Sequence, residues 1–349
     1  MKILIVNNNQ FGYHLDTYKY CECLSADNDV TYICFDFGFD KFESNKINVI
    51  YVKRDAYFIS RVYLFFKSIL DLIKINNYDV IFVKHFKFCF PIALMNKNVI
   101  LDIRTSSVNK SKYKRFLEDS ILKFDSLFYK KITVISESVA KRLNVKFDCI
   151  LPLGADSFGK LDNTDYKNGF NLVYIGTYTG RNLHEFIKGL SIYINSGGVV
   201  NSMYIIGHGS KEDYDLINRE VFSNGLNEVV KLTGFLNHKE SYEYIKKANV
   251  GVAYVPITPF YDKQPVTKTI EYLATGLPVL ATATLGNSIY INNSNGVLVG
   301  DNPKSVCQGL KDFMCLSFDN STFELNFNSW DIVSEKLYHF MESVKHEIR

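Results

Sequence analysis

The sequence predicts an α/β protein built from two doubly wound parallel-sheet domains, and three observations carry that expectation. At 349 residues the chain is longer than one compact core accommodates, which points to about two domains. Short β-branched runs alternate with longer amphipathic stretches, and strands apolar on both faces belong to parallel sheets covered by helices on either side. The alternation pauses at a polar, turn-rich segment, ILPLGADSFGKLDNTDYKNG (150–169), and restarts near residue 170.

Taken in order, the first half offers strands at 2–6, 29–35, 46–52, 79–84, 98–103 and 132–136. The second half offers 170–176, 201–207, 229–235, 250–255, 278–282 and 296–300. Helical patterns fill most of the gaps. The most apolar window, YFISRVYLFFKSILDLI (57–73), is interrupted by Arg61, Lys67 and Asp71, so it reads as an amphipathic helix. No run of about 18 uninterrupted apolar residues suggests a membrane span. SWDIVSEKLYHFMESVKHEI (329–348) is also helical in pattern. The expected division is two doubly wound domains, 1–155 and 160–325, with a helical segment over 326–349. Open α/β sheets bind ligands outside the carboxyl ends of their strands. Two such domains face to face would make a cleft, with a donor on one side and an acceptor on the other.

Composition excludes several classes. With 47% hydrophobic and 22% charged residues, the chain is an ordinary globular one. Its seven cysteines are odd in number, scattered, and form no C-x-x-C pair, which argues for reduced thiols in the cytosol and against a disulfide framework or zinc site. MKILIVNNNQ reads as a first strand, not a signal peptide. The motifs H-E-x-x-H, G-x-x-x-x-G-K-[ST] and G-x-S-x-G are absent, and no G-x-G-x-x-G follows strand one. Metalloprotease, P-loop, α/β-hydrolase and dinucleotide oxidoreductase readings lose their support. No metal, cofactor or nucleic-acid partner is expected.

Charge is uneven. Residues 1–155 carry 23 Lys and Arg against 16 Asp and Glu, a net of +7, and the remainder is net −4. Either only the first half meets an anionic partner, or lysine usage is merely biased. The densest cluster is NKSKYKRF (109–116), where Lys110, Lys112, Lys114 and Arg115 alternate with Tyr113 and Phe116. That alternation suits an anionic membrane surface, with cations on lipid phosphates and rings in the interface. The alternative is a solvated loop.

PVTKTIEYLATGLPVLAT (265–282) reads as a short helix closed by Gly276 and Pro278 and followed by a buried strand. Pro265 suits the first helical position. The N–H groups of Val266, Thr267 and Lys268 would then be unpaired at the positive end of the helix dipole, a ready phosphate site. Glu271 shares a face with Thr267 and Lys268. It sits one turn below such a phosphate and is placed to accept hydrogen bonds from ribose hydroxyls. An ordinary solvated glutamate is the other reading.

Here the sequence resembles the retaining GT-B glycosyltransferases of family 4. K-T-I-E-Y-L-A-T-G-L-P-V-L-A-T is similar to that family's E-A-x-A-x-G-x-P-V-V-A-T. YIGTYTGRN (174–182), YIIGHGS (204–210), VKLTGFL (230–236), ITVISESVAKRL (132–143), ILPLGAD (150–156) and SWDIVSEKL (329–337) follow the family's order over nearly the whole chain. The resemblance implies a nucleotide diphosphate sugar as donor, metal-independent transfer, and Glu271 on the donor's ribose. It implies Gly176 and Thr177 in the donor loop, loops after Gly207 and Gly234 around the nucleobase, and Arg181 on the diphosphate. Gly12, after strand one, would let backbone approach that diphosphate, and Asp102 and Arg104 in ILDIRTSS would stand beside the transferred sugar. Plainer alternatives are a tight turn at Gly207, a solvated Arg181 and an Asp–Arg pair that locks a loop. His85 reads as a strand-end residue and His208 as a loop histidine.

Two departures matter. Lys263 stands where the family has a second glutamate, and Phe186 where it has a lysine. Lys268 could supply the missing cation, and Asp262 or backbone near Gln264 could hold the sugar's hydroxyls. The expectation is a cytoplasmic, peripherally membrane-bound hexosyltransferase acting on a glycan or lipid-linked acceptor in cell-surface polysaccharide synthesis. An epimerase or phosphorylase on the same fold, or an inert sugar-nucleotide-binding subunit, are the alternatives.

Overall fold

A computed structural model of the chain describes residues 1–109, 111–156, 166, 168–263, 266–316, 318 and 328–347. The chain divides into two compact units, Met1–Gly154 with Asn328–Arg349, and Ala155–Phe327.

The first unit opens with β1 (Lys2–Val6), α1 (Leu15–Leu24), β2 (Asp29–Asp36), β3 (Ile47–Lys53), α2 (Phe58–Ile75) and β4 (Val80–Lys84). It continues with α3 (Phe90–Ala93), β5 (Val99–Ile103), α4 (Lys112–Ser126), β6 (Lys131–Val134), α5 (Glu137–Leu143) and β7 (Cys149–Ile150). After β8 (Gly154–Ala155) the second unit runs β9 (Phe170–Ile175), α6 (Leu183–Asn195), β10 (Val200–Ile206), α7 (Lys211–Ser223) and β11 (Val230–Gly234). It ends with α8 (His238–Lys247), β12 (Val250–Ala253), α9 (Thr267–Ala274), β13 (Val279–Thr282), α10 (Leu285–Ser288), β14 (Gly296–Val299) and α11 (Pro303–Cys315). The chain re-enters the first unit at β15 (Asn328–Ser329) and finishes in α12 (Trp330–His346).

The first sheet is parallel, in the order β3-β2-β1-β4-β5-β6-β7. β1 lies at its centre, with Ile3 opposite Val30 on one side and Val80 on the other. Ile3, Leu4, Ile5 and Val6 are all fully buried, because successive side chains alternate faces and both faces are covered. Ile3 and Ile5 join a core with Tyr20, Trp330 and Leu337 from α1 and α12, while Leu4 and Val6 join one with Phe65 and Ile69 from α2. The returning α12 packs on α1, with Trp330 edge-on to Tyr20 at 5.9 Å.

The second sheet repeats the order as β11-β10-β9-β12-β13-β14, again parallel. Its central β9 pairs Leu172 with Met203 and with Val250. Helices α6 and α11 pack together, and Ile187, Leu190, Val306 and Leu310 enter one core.

All twelve expected strands occur, each end within two residues of its place. The pattern missed β7, β8 and β15, each two residues long, too short to show a period. The basic cluster is no loop: Ser111 caps α4, accepting from the Lys114 N–H, so Lys112, Lys114 and Arg115 form its first turn. Lys110 lies outside the described residues.

Candidate functional site

Helix α9 starts two residues later than expected, with Val266 as its N-cap and Thr267 as its first helical residue. Pro265 and Gln264 lie outside the described residues. Valine has no polar side chain, so none caps this end, and the N–H groups of Thr267 and Lys268, in the first helical turn, have no intrahelical partner. At the other end Gly276, with φ +76°, turns the chain, and the Leu277 N–H returns to Tyr272 O at 3.0 Å. Tyr272 is fully buried, and its hydroxyl accepts from the Ile175 N–H at 2.9 Å. This bond pins α9 to the carboxyl end of β9, a link no motif indicated.

Glu271 is 8% exposed, which overturns the solvated reading. Its Oε2 accepts from Lys268 Nζ. Its Oε1 is buried and has no hydrogen-bond partner among the described residues. An unsatisfied buried acceptor costs on the order of 1–3 kcal/mol, so such an atom in a strand-end crevice calls for a donor that arrives from outside.

That crevice is built from β9 and its neighbours. Gly176 donates to Ile206 O at 2.9 Å, and Gly207 donates to Gly234 O at 2.8 Å. Gly207 has φ +141°, and a Cβ there would stand 2.0 Å from Gly176 O. Only glycine allows this contact, so the tight turn accounts for Gly207. Thr177 is exposed, and its carbonyl accepts from Tyr174 Oη at 2.8 Å. The sheet order reverses between β9 and β12, the switch point at which doubly wound sheets bind ligands.

Arg181 is half-buried, with its guanidinium over the Tyr261 ring at 4.4 Å from the centroid. Burial raises the pKa of the nearby Tyr174 hydroxyl, and the Arg181 charge opposes that rise. Phe186 is a fully buried core side chain, so no second cation belongs at that position. Asp262 Oδ1 accepts from the Leu285 N–H at 2.9 Å, holding the start of α10. Lys263 is exposed. His208 sits edge-on to Phe235 at 5.9 Å between ring centroids.

The first unit corrects three expectations. Asp102 is completely buried and accepts from Thr133 Oγ1 at 2.7 Å. Arg104, also buried, donates from Nε to Asp16 Oδ2 at 2.6 Å and from Nη1 to Leu151 O at 2.7 Å. Its Nη2 lies 2.5 Å from the same Asp16 oxygen but off the hydrogen-bond line. Asp102 Oδ2 stands 3.9 Å from Arg104 Nε. Both side chains are buried among partners of their own unit, and Arg104 pairs with Asp16 where the plainer alternative expected Asp102. Burial raises the Asp102 carboxyl to about 6, opposed by Arg104, and lowers the His14 imidazole to about 4. Gly12 is likewise not open to a diphosphate here: a Cβ on it would meet the Phe42 ring at 2.3 Å.

His85 bonds through Nε2 to Asp125 Oδ2 at 3.0 Å. The same carboxylate accepts from the N–H groups of Phe88 and Phe90, so it holds the turn after β4, where Phe88 has φ +64°. Although Cys89 also lies close to this pair, burial pushes its thiol up to about 12, a poor metal ligand. On α4, Lys112 and Lys114 are exposed, as are Tyr113 and Phe116 at 72% and 70%. Arg115 Nη1 donates to Asn109 O at 2.5 Å. No helix among the described residues is long and apolar enough to cross a membrane.

Residues 169–315 match the family model described as glycosyl transferases group 1. No curated protein matches. Among solved structures, HepE of Anabaena in complex with UDP-glucose is similar at 12% identity and TM-score 0.67, over 98% of this chain and 100% of that one. Sucrose-phosphate synthase of Thermosynechococcus elongatus is similar at 13% identity and TM-score 0.64, over 100% and 97%. A UDP-N-acetylglucosamine 2-epimerase from Listeria monocytogenes, so titled as putative, is similar at 11% and 0.64, over 99% and 97%. The switch point and helix α9 lie inside the segment that is similar to group 1 glycosyl transferases, and the chain has the GT-B fold.

Proposed function

We propose that the protein transfers a sugar, with retention at the anomeric carbon, from a UDP-sugar to a hydroxyl of a glycan or lipid-linked acceptor. The observation that carries this reading is Glu271 Oε1, a buried carboxylate oxygen without a partner on a helix pinned to the switch point. Ribose hydroxyls donate to that oxygen, while Lys268 holds Oε2 and orients the group. The choice of UDP rests on HepE, a structural relative that is described with UDP-glucose.

In the transfer, the bond between the anomeric carbon and the diphosphate oxygen breaks. The acceptor oxygen bonds to that carbon from the same face, and its proton passes to the leaving phosphate. Charge gathering on the diphosphate is met by the free N–H groups of Thr267 and Lys268, by the dipole of α9 and by Arg181. Arg181 must leave the face of Tyr261 or reach past it to do so. The exposed first turn of α4, with Lys112, Lys114, Tyr113 and Phe116, faces an anionic membrane that carries the acceptor. Each such cation contributes on the order of 1 kcal/mol to recruitment.

Incubation with UDP-sugars, with UDP release and donor identity followed together, tests this reading. UDP appearing at a rate that falls to background in Glu271→Ala supports transfer. Interconversion of UDP-sugars without UDP release assigns the chain to epimerisation, the chemistry named for the similar Listeria structure. Donor binding with neither product supports an inert binding subunit.

A further inference from the structure

The first unit contains a cavity of about 700 Å³ between α2 and α4, beside the carboxyl ends of β2 and β4. Its floor is aromatic: Phe35 stacks on Phe65 at 4.3 Å between centroids, and Phe86 meets Phe65 edge-on at 5.7 Å. Two guanidiniums stand in its lining, Arg54 over Phe37 at 4.8 Å and Arg61 over Phe58 at 5.6 Å. Among the described residues neither has a carboxylate partner. The other charged side chains of the lining are already engaged. Lys87 pairs with Glu118 at 2.8 Å, Asp119 lies 3.6 Å from Arg142, and Lys84 is attracted by the buried Asp16 and Asp102.

A free sugar could meet Asn8, Asn9 and Ser106 in the lining, but it carries no charge to answer two guanidiniums and would not fill the phenylalanine floor. A lone phosphate would satisfy the cations and leave the floor wet. What answers both is an apolar chain ending in a phosphate, with the chain on the rings and the phosphate between the guanidiniums. The neighbouring surface points the same way. Tyr57, Ile59 and Tyr63 on or beside the first turns of α2 are exposed, as are Tyr113 and Phe116 on the first turn of α4. Both helices that wall the cavity therefore turn aromatic and aliphatic side chains outward, as a segment resting on a lipid interface does.

We propose that this cavity holds the phosphate-linked lipid end of the acceptor. The proposal rests on the transferase reading and names the acceptor class for it: a sugar or glycan joined through phosphate to a membrane-borne hydrocarbon chain. Arg54 and Arg61 set the depth at which the phosphate stops, and so which hydroxyl beyond it is presented for transfer.

The full chain is titrated calorimetrically with dodecyl phosphate below its micellar concentration, with dodecyl maltoside and with inorganic phosphate. Saturable binding of dodecyl phosphate at least about tenfold tighter than either control is expected. The double variant Arg54→Glu/Arg61→Glu, changed at accessible positions, should lose about tenfold or more of that affinity and still bind UDP-glucose. Equal affinity for dodecyl maltoside reduces the cavity to a greasy groove and overturns the proposal, as does equal affinity for phosphate alone or a charge-reversed variant that binds like wild type. Failure of UDP-glucose to bind wild type, with dodecyl phosphate still bound, strikes the transferase reading and leaves the amphiphile site standing.

Discussion

The two units share one strand order yet end their sheets in opposite ways. In the first, the charges at the carboxyl ends are turned inward: Arg104 spans Asp16 and Leu151, and Asp102 leans on Thr133. What remains open is an aromatic cavity with two arginines that have no carboxylate partner among the described residues. In the second, the carboxylate at the switch point is left half-satisfied among the described residues, with one oxygen on Lys268 and the other without a partner. The same topology thus delivers a locked polar cluster in one place and a waiting acceptor in the other. What decides is whether partners for each charge lie within its own unit.

The sharpest break of that contrast is Glu271→Ala. It removes the waiting oxygen, and donor affinity by calorimetry should fall by about a hundredfold or more, the cost of a charge-assisted contact and of an orphaned Lys268. Unchanged UDP-sugar affinity would remove Glu271 from the donor site. Next in size is Lys268→Ala, expected to lower kcat/KM by about 10-fold to 10²-fold. Because Lys268 touches Glu271, the double variant should be far from additive. Additive losses would mean that the lysine reaches the diphosphate independently.

Asp102→Asn probes the locked side. The folded carboxyl is raised to about 6 from an ordinary 3.8, so the folded state binds more protons than the unfolded between those values. Wild-type stability from this group therefore rises as pH falls through 6 and is lowest above it. The asparagine variant should gain about 2 kcal/mol over wild type at pH 8, and the gain should shrink towards pH 4. His14, lowered by burial to about 4, pulls the other way: it destabilises the fold as pH falls below 6.5. Denaturant melts of both proteins at several pH values separate the two, since the His14 trend is common to them. The smallest effect is expected from Tyr272→Phe, about 1 kcal/mol of stability with weakened donor binding, because the Ile175 N–H loses its acceptor. Full donor affinity in that variant would show that the pin is not needed to hold Glu271 in place.

The strands were legible because apolar runs that must be buried on both faces leave a strong local trace, and Ile3 to Val6 shows it best. The helix bearing Glu271 was legible through its closing glycine and proline, although its start slipped by two residues, to follow Val266, which offers no capping side chain. Relations across distance were not legible. Asp16 and Arg104 are 88 residues apart, and nothing near either names the other. Gly12 looks like a phosphate-loop glycine until Phe42 is seen above it. The cavity draws its rings from β2, α2 and the turn after β4, and a chain this rich in aromatics gives no local sign of which ones converge.

One feature of the fold bears on how the protein is made. Helix α12 supplies Trp330, Leu337 and Met341 to the core of the first unit, yet the ribosome reaches it only after the whole second unit. At about 5–20 residues per second, the nascent first unit waits on the order of ten seconds or more with the apolar flank of α1 bare. The second unit, continuous in sequence, has no such delay. The later-made half can therefore finish folding first, and during synthesis the earlier-made half is the one exposed to chaperones and to misassembly.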